Sequence, residues 1–109
     1  MKTILYLLVV CVLINTACKT DIQHAKQVKS RIEGNCEMCE ESIENAGNES
    51  GVSEVSWNKH SKMARITFDQ RKTNIRHILR KIANAGYDNE MFTAKERAYK
   101  ALPSCCRYR

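Results

Sequence analysis

The sequence predicts an α+β sandwich: two helices on one face of a four-stranded antiparallel sheet, followed by a helical tail. Three observations predict it. Ile75, Ile78, Leu79, Ile82 and Ala83 fall at i, i+3, i+4, i+7 and i+8, a continuous apolar helical stripe. Short stretches of two-residue alternation, the mark of half-buried strands, stand apart from it. Gly47, Asn58-Lys59-His60-Ser61 and Gly86 punctuate the pieces where a helix should stop or a hairpin turn.

Of the 109 residues, the first are no part of that sandwich. Met1-Lys2-Thr3 leads into an apolar run from Ile4 to Ile14 and then Asn15-Thr16-Ala17-Cys18. A basic start, an apolar run of 11 residues and small residues before a cleavage point describe a secretory signal peptide. A bilayer-spanning helix needs about 20. Thr16-Ala17-Cys18 also resembles the lipobox of bacterial lipoproteins, although Asn15 stands where that pattern favours an aliphatic residue. The expectation is removal of residues 1–17, lipidation of Cys18 and export to the periplasmic side with a membrane anchor, ordinary cleavage nearby being the alternative. Residues 18–25 then form a polar tether.

The first strand begins at Lys26, with Val28, Ser30 and Ile32 on one face and Gln27, Lys29 and Arg31 on the other. Cys39, Ile43 and Ala46 recur at helical spacing and Gly47 stops that helix. Val52, Val55 and Trp57 mark a second strand. Ala64, Ile66 and Phe68 share one face of a third, from Met63 to Phe68. After the striped helix, Met91 to Lys95 is assigned as a short fourth strand. The order β-α-β-β-α-β matches the ferredoxin-like split βαβ arrangement, and about 70 residues can bury one modest core this way.

The chemistry concentrates at Cys36-Glu37-Met38-Cys39, where an extended segment turns into a helix. Thiolates are the ligands and nucleophiles, and N–H groups at a helix start help stabilise them. Two sulfurs at this spacing suit a soft ion, above all Cu(I), with Zn(II) possible. They do not fill a structural zinc site, which wants four ligands. A structural disulfide and a redox pair are the other readings of a CxxC in an exported chain.

With Cys11 lost and Cys18 lipidated, four cysteines remain as two local pairs, Cys36 with Cys39 and Cys105 with Cys106. The mature chain keeps 17 basic against 12 acidic residues, yet it lacks an aromatic-rich basic stretch and is exported, which argues against nucleic acid. Six carboxylates and no base lie between Glu33 and Glu49; five bases and no acid lie between Arg71 and Lys81. These are either solvated helix faces or docking surfaces for a partner protein. His24, His60 and His77 have no ligand spacing to the cysteines and read as surface residues.

From Lys26 to Lys95 the sequence resembles the heavy-metal-associated domain family, the small modules of copper chaperones, metal-transporting P-type ATPases and periplasmic mercury-binding proteins. The resemblance rests on the Cys36–Cys39 clip, Gly51-Val52, Phe68-Asp69 and Ala85-Gly86-Tyr87-Asp88. It implies that Cys36 and Cys39 bind the ion, Hg(II) being a further candidate, and that Tyr87 lies beside the site and shields it. Gly34-Asn35 replaces the family's usual Met and Thr before the first cysteine, which removes an apolar plug and leaves Asn35 next to the site. Met38 is read as packing or exposed, or as a weak thioether ligand.

Residues 96–109 resemble an extension of some exported bacterial members, ending Leu102-Pro103-Ser104-Cys105-Cys106. A fourth strand of about five residues would carry the chain ~17 Å away from the clip. A short helix rising ~12 Å and two extended residues adding ~7 Å would just bring Cys105 back. Cys105, Cys106 or both would then complete a three- or four-sulfur site holding Cu(I) or Zn(II). A free pair or a disulfide to a neighbour are the alternatives.

The leading expectation is therefore an exported, membrane-tethered carrier that sequesters a soft ion or hands it to a metal-transport or other metal-binding protein by thiolate exchange. No nucleophile, base and orienting group stand in register, so it is not expected to be an enzyme. A thiol-disulfide oxidoreductase is the main alternative; Glu37, Glu40 and Glu41 are expected to oppose the thiolate that chemistry needs. A module whose cysteines only form disulfides is the third.

Overall fold

A computed structural model describes residues 21–109. The leader, its cleavage and Cys18 lie outside the described residues. The elements are β1 (Ala25–Arg31), α1 (Glu37–Gly47), β2 (Ser53–Trp57), β3 (Met63–Asp69), α2 (Ile75–Asn84), α3 (Glu96–Lys100) and a 3-10 turn (Ser104–Cys106). No helix among these residues is long and apolar enough to cross a membrane.

The sheet is antiparallel with order β1-β3-β2. Register follows from the pleat. Ile66 stands between Val28 and Val55, and Ala64 between Ser30 and Trp57, so one face collects every inward residue. The helices cover that face: Ile43 from α1 and Ile78, Leu79 and Ile82 from α2 join the strand residues in one core.

Local chemistry sets the helix ends. The Asn74 side chain accepts the His77 N–H at 2.9 Å and starts α2. Gly86, at φ +111°, ends it by adopting a conformation that costs a side-chain-bearing residue about 1–2 kcal/mol. Gly47 closes α1 against β2, where an added Cβ would come within 2.4 Å of Val55.

The expected fourth strand is absent among the described residues. Only one bridge, Ile32 with Asn89, lies beside β1 where that strand was expected. Side chains capture the backbone there. Asn89 Oδ1 accepts the Met91 and Phe92 N–H groups, each at 3.1 Å, and Asp88 Oδ1 accepts Ala94 N–H at 2.7 Å. A segment whose amides are satisfied locally turns instead of extending along a ladder. At the end of β1 two amides are met by other means: Glu90 accepts the Arg31 N–H at 3.1 Å and the Asp88 carbonyl accepts Glu33 N–H at 2.9 Å.

Candidate metal centre

The clip forms where β1 runs out. Cys36 is the residue before α1 and is extended, at φ −137° and ψ 177°, so its side chain points off the helix start. Cys39, one turn on, is wholly buried. The two sulfurs are 3.4 Å apart, and Cys39 Sγ accepts the Asn35 N–H at 3.4 Å.

Gly34 lies where the apolar plug was expected to be missing. A Cβ there would come within 2.9 Å of the Trp57 ring and 3.2 Å of Cys39 Cβ. The indole fills the floor instead, its N–H donating to the Ile32 carbonyl at 2.9 Å. Lys62, in the left-handed region at φ +64°, donates its ammonium to the Gly34 carbonyl. The loop is therefore braced from below by Trp57 and Lys62.

The tail returns to the clip. Without a fourth strand, the chain has a shorter way back than the sequence reading assumed. Cys106 is fully buried and its sulfur is 3.7 Å from Cys36 Sγ. Cys36, Cys39 and Cys106 place their sulfurs within 4.8 Å of one another. Cys105 is exposed and stands outside that mutual set, 3.5 Å from Cys36 Sγ and 3.8 Å from Cys106 Sγ. All four thiols are free.

These spacings suit a shared ion. Sulfurs bound at about 2.3 Å lie about 4.0 Å apart in a trigonal plane and about 3.8 Å apart in a tetrahedron. Shifts of a few tenths of an ångström would seat an ion among the inner three.

The electrostatics single out Cys36. Burial opposes its ionisation, but the Cys39 N–H and the thiols of Cys39, Cys105 and Cys106 outweigh it and bring the Cys36 pKa down to about 7. The neighbours move the other way. Burial and the adjacent Cys39 thiol push Cys106 up, and the contact with Cys36 raises Cys105. One thiolate hydrogen-bonded by its neighbours is thus ready for a cation, and further protons leave as an ion binds. Of the carboxylates near the helix start, Glu37 is paired with Lys59 at 3.3 Å.

Three solved structures resemble this fold. The CopZ metallochaperone aligns at 26% identity and TM-score 0.54, over 59% of this chain and 98% of its own. A putative copper-ion-binding protein from Bacillus anthracis str. Ames aligns at 24% identity and TM-score 0.56, over 61% of this chain and 96% of that one. Oxidized MerP from Ralstonia metallidurans CH34 aligns at 24% identity and TM-score 0.55, over 61% and 94%. The fold is similar to that of heavy-metal-associated domains. No family model matches the sequence, and no curated protein does.

Tyr87 is wholly buried beside Ser42 and Cys106. Its hydroxyl is out of hydrogen-bonding geometry with any described group, and burial raises its pKa. Asn35 links loop to tail, its side-chain amide donating to the Arg107 carbonyl at 3.3 Å. Met38 is exposed and its Sδ lies 3.5 Å from Cys105 Sγ. His60 lines the cleft of ≈ 460 Å³ above Cys36 and Cys105; His24 and His77 do not.

Sequence reasoning missed the latch that holds the tail. The Tyr108 hydroxyl donates to the Gly86 carbonyl at 2.7 Å and accepts the Asp88 N–H at 2.8 Å. Its ring lies between Tyr87 and Tyr99, with centroids 6.3 and 5.2 Å away. The Arg109 guanidinium grips both Asp88 carboxylate oxygens, at 2.7 and 3.2 Å, and lies over the Tyr99 ring. The only hint in sequence is an Asp and an Arg of opposite charge far apart along the chain.

Proposed function

We propose that this chain binds a soft metal ion, Cu(I) by preference and Zn(II) or Hg(II) as alternatives, through Cys36, Cys39 and Cys106, and sequesters it or passes it on by thiolate exchange. The observation that carries this reading is the convergence of three sulfurs from two distant chain segments on a single point. An all-sulfur donor set selects Cu(I) and other thiophilic ions over hard ones. The likeness to the CopZ metallochaperone points the same way and makes a metal-transport or metal-binding protein the natural recipient. Export through the leader, anchoring to the membrane through a lipid on Cys18, and the absence of an enzymatic step complete the proposal.

Exchange follows from exposure. Cys36 is half-exposed, whereas Cys39 and Cys106 are buried. An acceptor thiolate therefore reaches the ion on the Cys36 side and displaces that sulfur first. The buried pair follows as the tail lifts.

The test is competition for Cu(I) against a colorimetric chelator, using reduced protein under nitrogen. Wild type should withdraw the ion stoichiometrically, and the double variant Cys36→Ser, Cys39→Ser should not. Equal withdrawal by both sinks the proposal.

A thiol-disulfide oxidoreductase remains the second reading, because a thiol brought down to about 7 and 3.4 Å from its partner also suits disulfide exchange. Turnover in an insulin-reduction assay that persists in excess chelator would favour it.

A further inference from the structure

Two sulfurs near the clip are not used by the inner three-thiol set. Cys105 Sγ stands 3.5 Å from Cys36 Sγ on one side and 3.5 Å from Met38 Sδ on the other. Met38, in the first turn of α1, is 53% exposed, so its position gains nothing from packing in the core. Cys36, Met38 and Cys105 line the same open cleft, together with Lys59 and His60. Cys105 Sγ thus stands between Cys36 Sγ and Met38 Sδ in a second group of soft donors outside the first, with Cys36 common to both.

We propose that Cys36, Cys105 and Met38 form a second site for Cu(I), so that one chain carries two ions bridged by the Cys36 sulfur. The inference rests on the reading of Cys36, Cys39 and Cys106 as an ion site. A thiolate has lone pairs enough for two soft ions, and thiolate with thioether is a donor set that selects Cu(I). Binding the outer ion releases the Cys105 proton to solvent, and no redox step is needed. The outer sulfurs are exposed, so they can move the few tenths of an ångström that separate 3.5 Å from the about 4.0 Å of a trigonal site with 2.3 Å bonds.

Zn(II) should behave differently. It prefers four donors around one ion, so Cys105 would swing in as the fourth ligand of a single tetrahedral centre, with Met38 unused. The 3.8 Å between Cys105 and Cys106 already matches the about 3.8 Å edge of that tetrahedron.

Native mass spectrometry of the reduced chain, titrated with Cu(I) or Zn(II) under nitrogen at low protein concentration, tests the assignment. The monomer should take up two Cu(I) but one Zn(II). Cys105→Ser should stop at one Cu(I), and Met38→Leu should hold the second Cu(I) at least tenfold more weakly, both keeping the first. Both side chains are exposed, so neither change threatens the fold. A wild-type monomer that stops at one Cu(I), or a Cys105→Ser variant that still takes two, overturns the second site alone. A wild-type chain that takes no ion overturns the inner site as well.

Discussion

Burial opposes ionisation of Cys36, but its position before α1, beside the Cys39 N–H and in contact with the thiols of Cys39, Cys105 and Cys106, outweighs that and lowers its pKa. In the ion-free protein its alkylation by iodoacetamide should be half-maximal near pH 7, with Cys105 and Cys106 reacting only at higher pH. Mass mapping of the labelled peptides across a pH series checks this; a Cys36 midpoint near 9 would contradict it. Gly86 makes a second demand at this scale. It has positive φ, and an added Cβ would come within 2.9 Å of Leu102 and 3.0 Å of the Ala98 carbonyl. Gly86→Ala should lower the unfolding free energy in urea by about 2 kcal/mol or more, from the left-handed backbone and overpacking together. The glycine was readable in sequence as a helix stop; its close approach to the tail was not, since nothing local to residue 86 announces Leu102.

Periodicity revealed the elements whose neighbours are other apolar surfaces. The α2 stripe and the alternation of β2 and β3 survive because burial on one face is what both pattern and structure express. The strand expected over Met91 to Lys95 does not form, because the carboxylate of Asp88 and the amide of Asn89 bond the backbone there; Phe92 and Ala94 alternate inward as a strand would require, and that alternation alone does not show where the amides go. The tail shows the same limit: its reach to the clip follows from chain length, but which of two adjacent cysteines turns inward depends on the 3-10 turn at Ser104–Cys106. Asp88 is the element that holds this tail down. Burial works against its ionised form, but the Arg109 guanidinium and the Ala94 N–H prevail and hold its carboxyl below the ordinary 3.8. A depressed carboxyl stabilises the folded state in full above its unfolded value, and that contribution is lost as pH falls through the lower folded value. The tail amides should therefore exchange faster as pH is taken down through and below 3.8, after correction for the intrinsic rate, and Asp88→Asn should show that exposure already at neutral pH. Hydrogen exchange read by mass spectrometry, with α2 as the internal reference, distinguishes tail release from global loosening.

Across the whole molecule, an ion at the inner site would tie residue 36 to residue 106 and so cross-link most of the folded chain. Binding to the folded state alone stabilises it by about 2.7 kcal/mol when free ligand is a hundredfold above Kd. Saturation with Cu(I) should raise the thermal midpoint of wild type by several degrees, and Cys106→Ser should lose most of that gain while still binding through the clip. Scanning calorimetry under nitrogen decides it, an equal gain in both proteins counting against a tail ligand. The charge pattern belongs to this scale as well. Glu37 and Glu49 are paired with Lys59 and Lys81, while Arg76 and Arg80 lie over the Phe92 ring. Part of what reads in sequence as docking charge is therefore engaged within the fold. The indole beneath the clip has a practical corollary. Trp57 is the sole tryptophan of the chain, 3% exposed, in contact with the loop at Gly34 and close to Cys39. Its indole emission comes from one place, beneath the loop at Gly34, so under the proposed ion binding it would report occupancy of the clip without an attached dye.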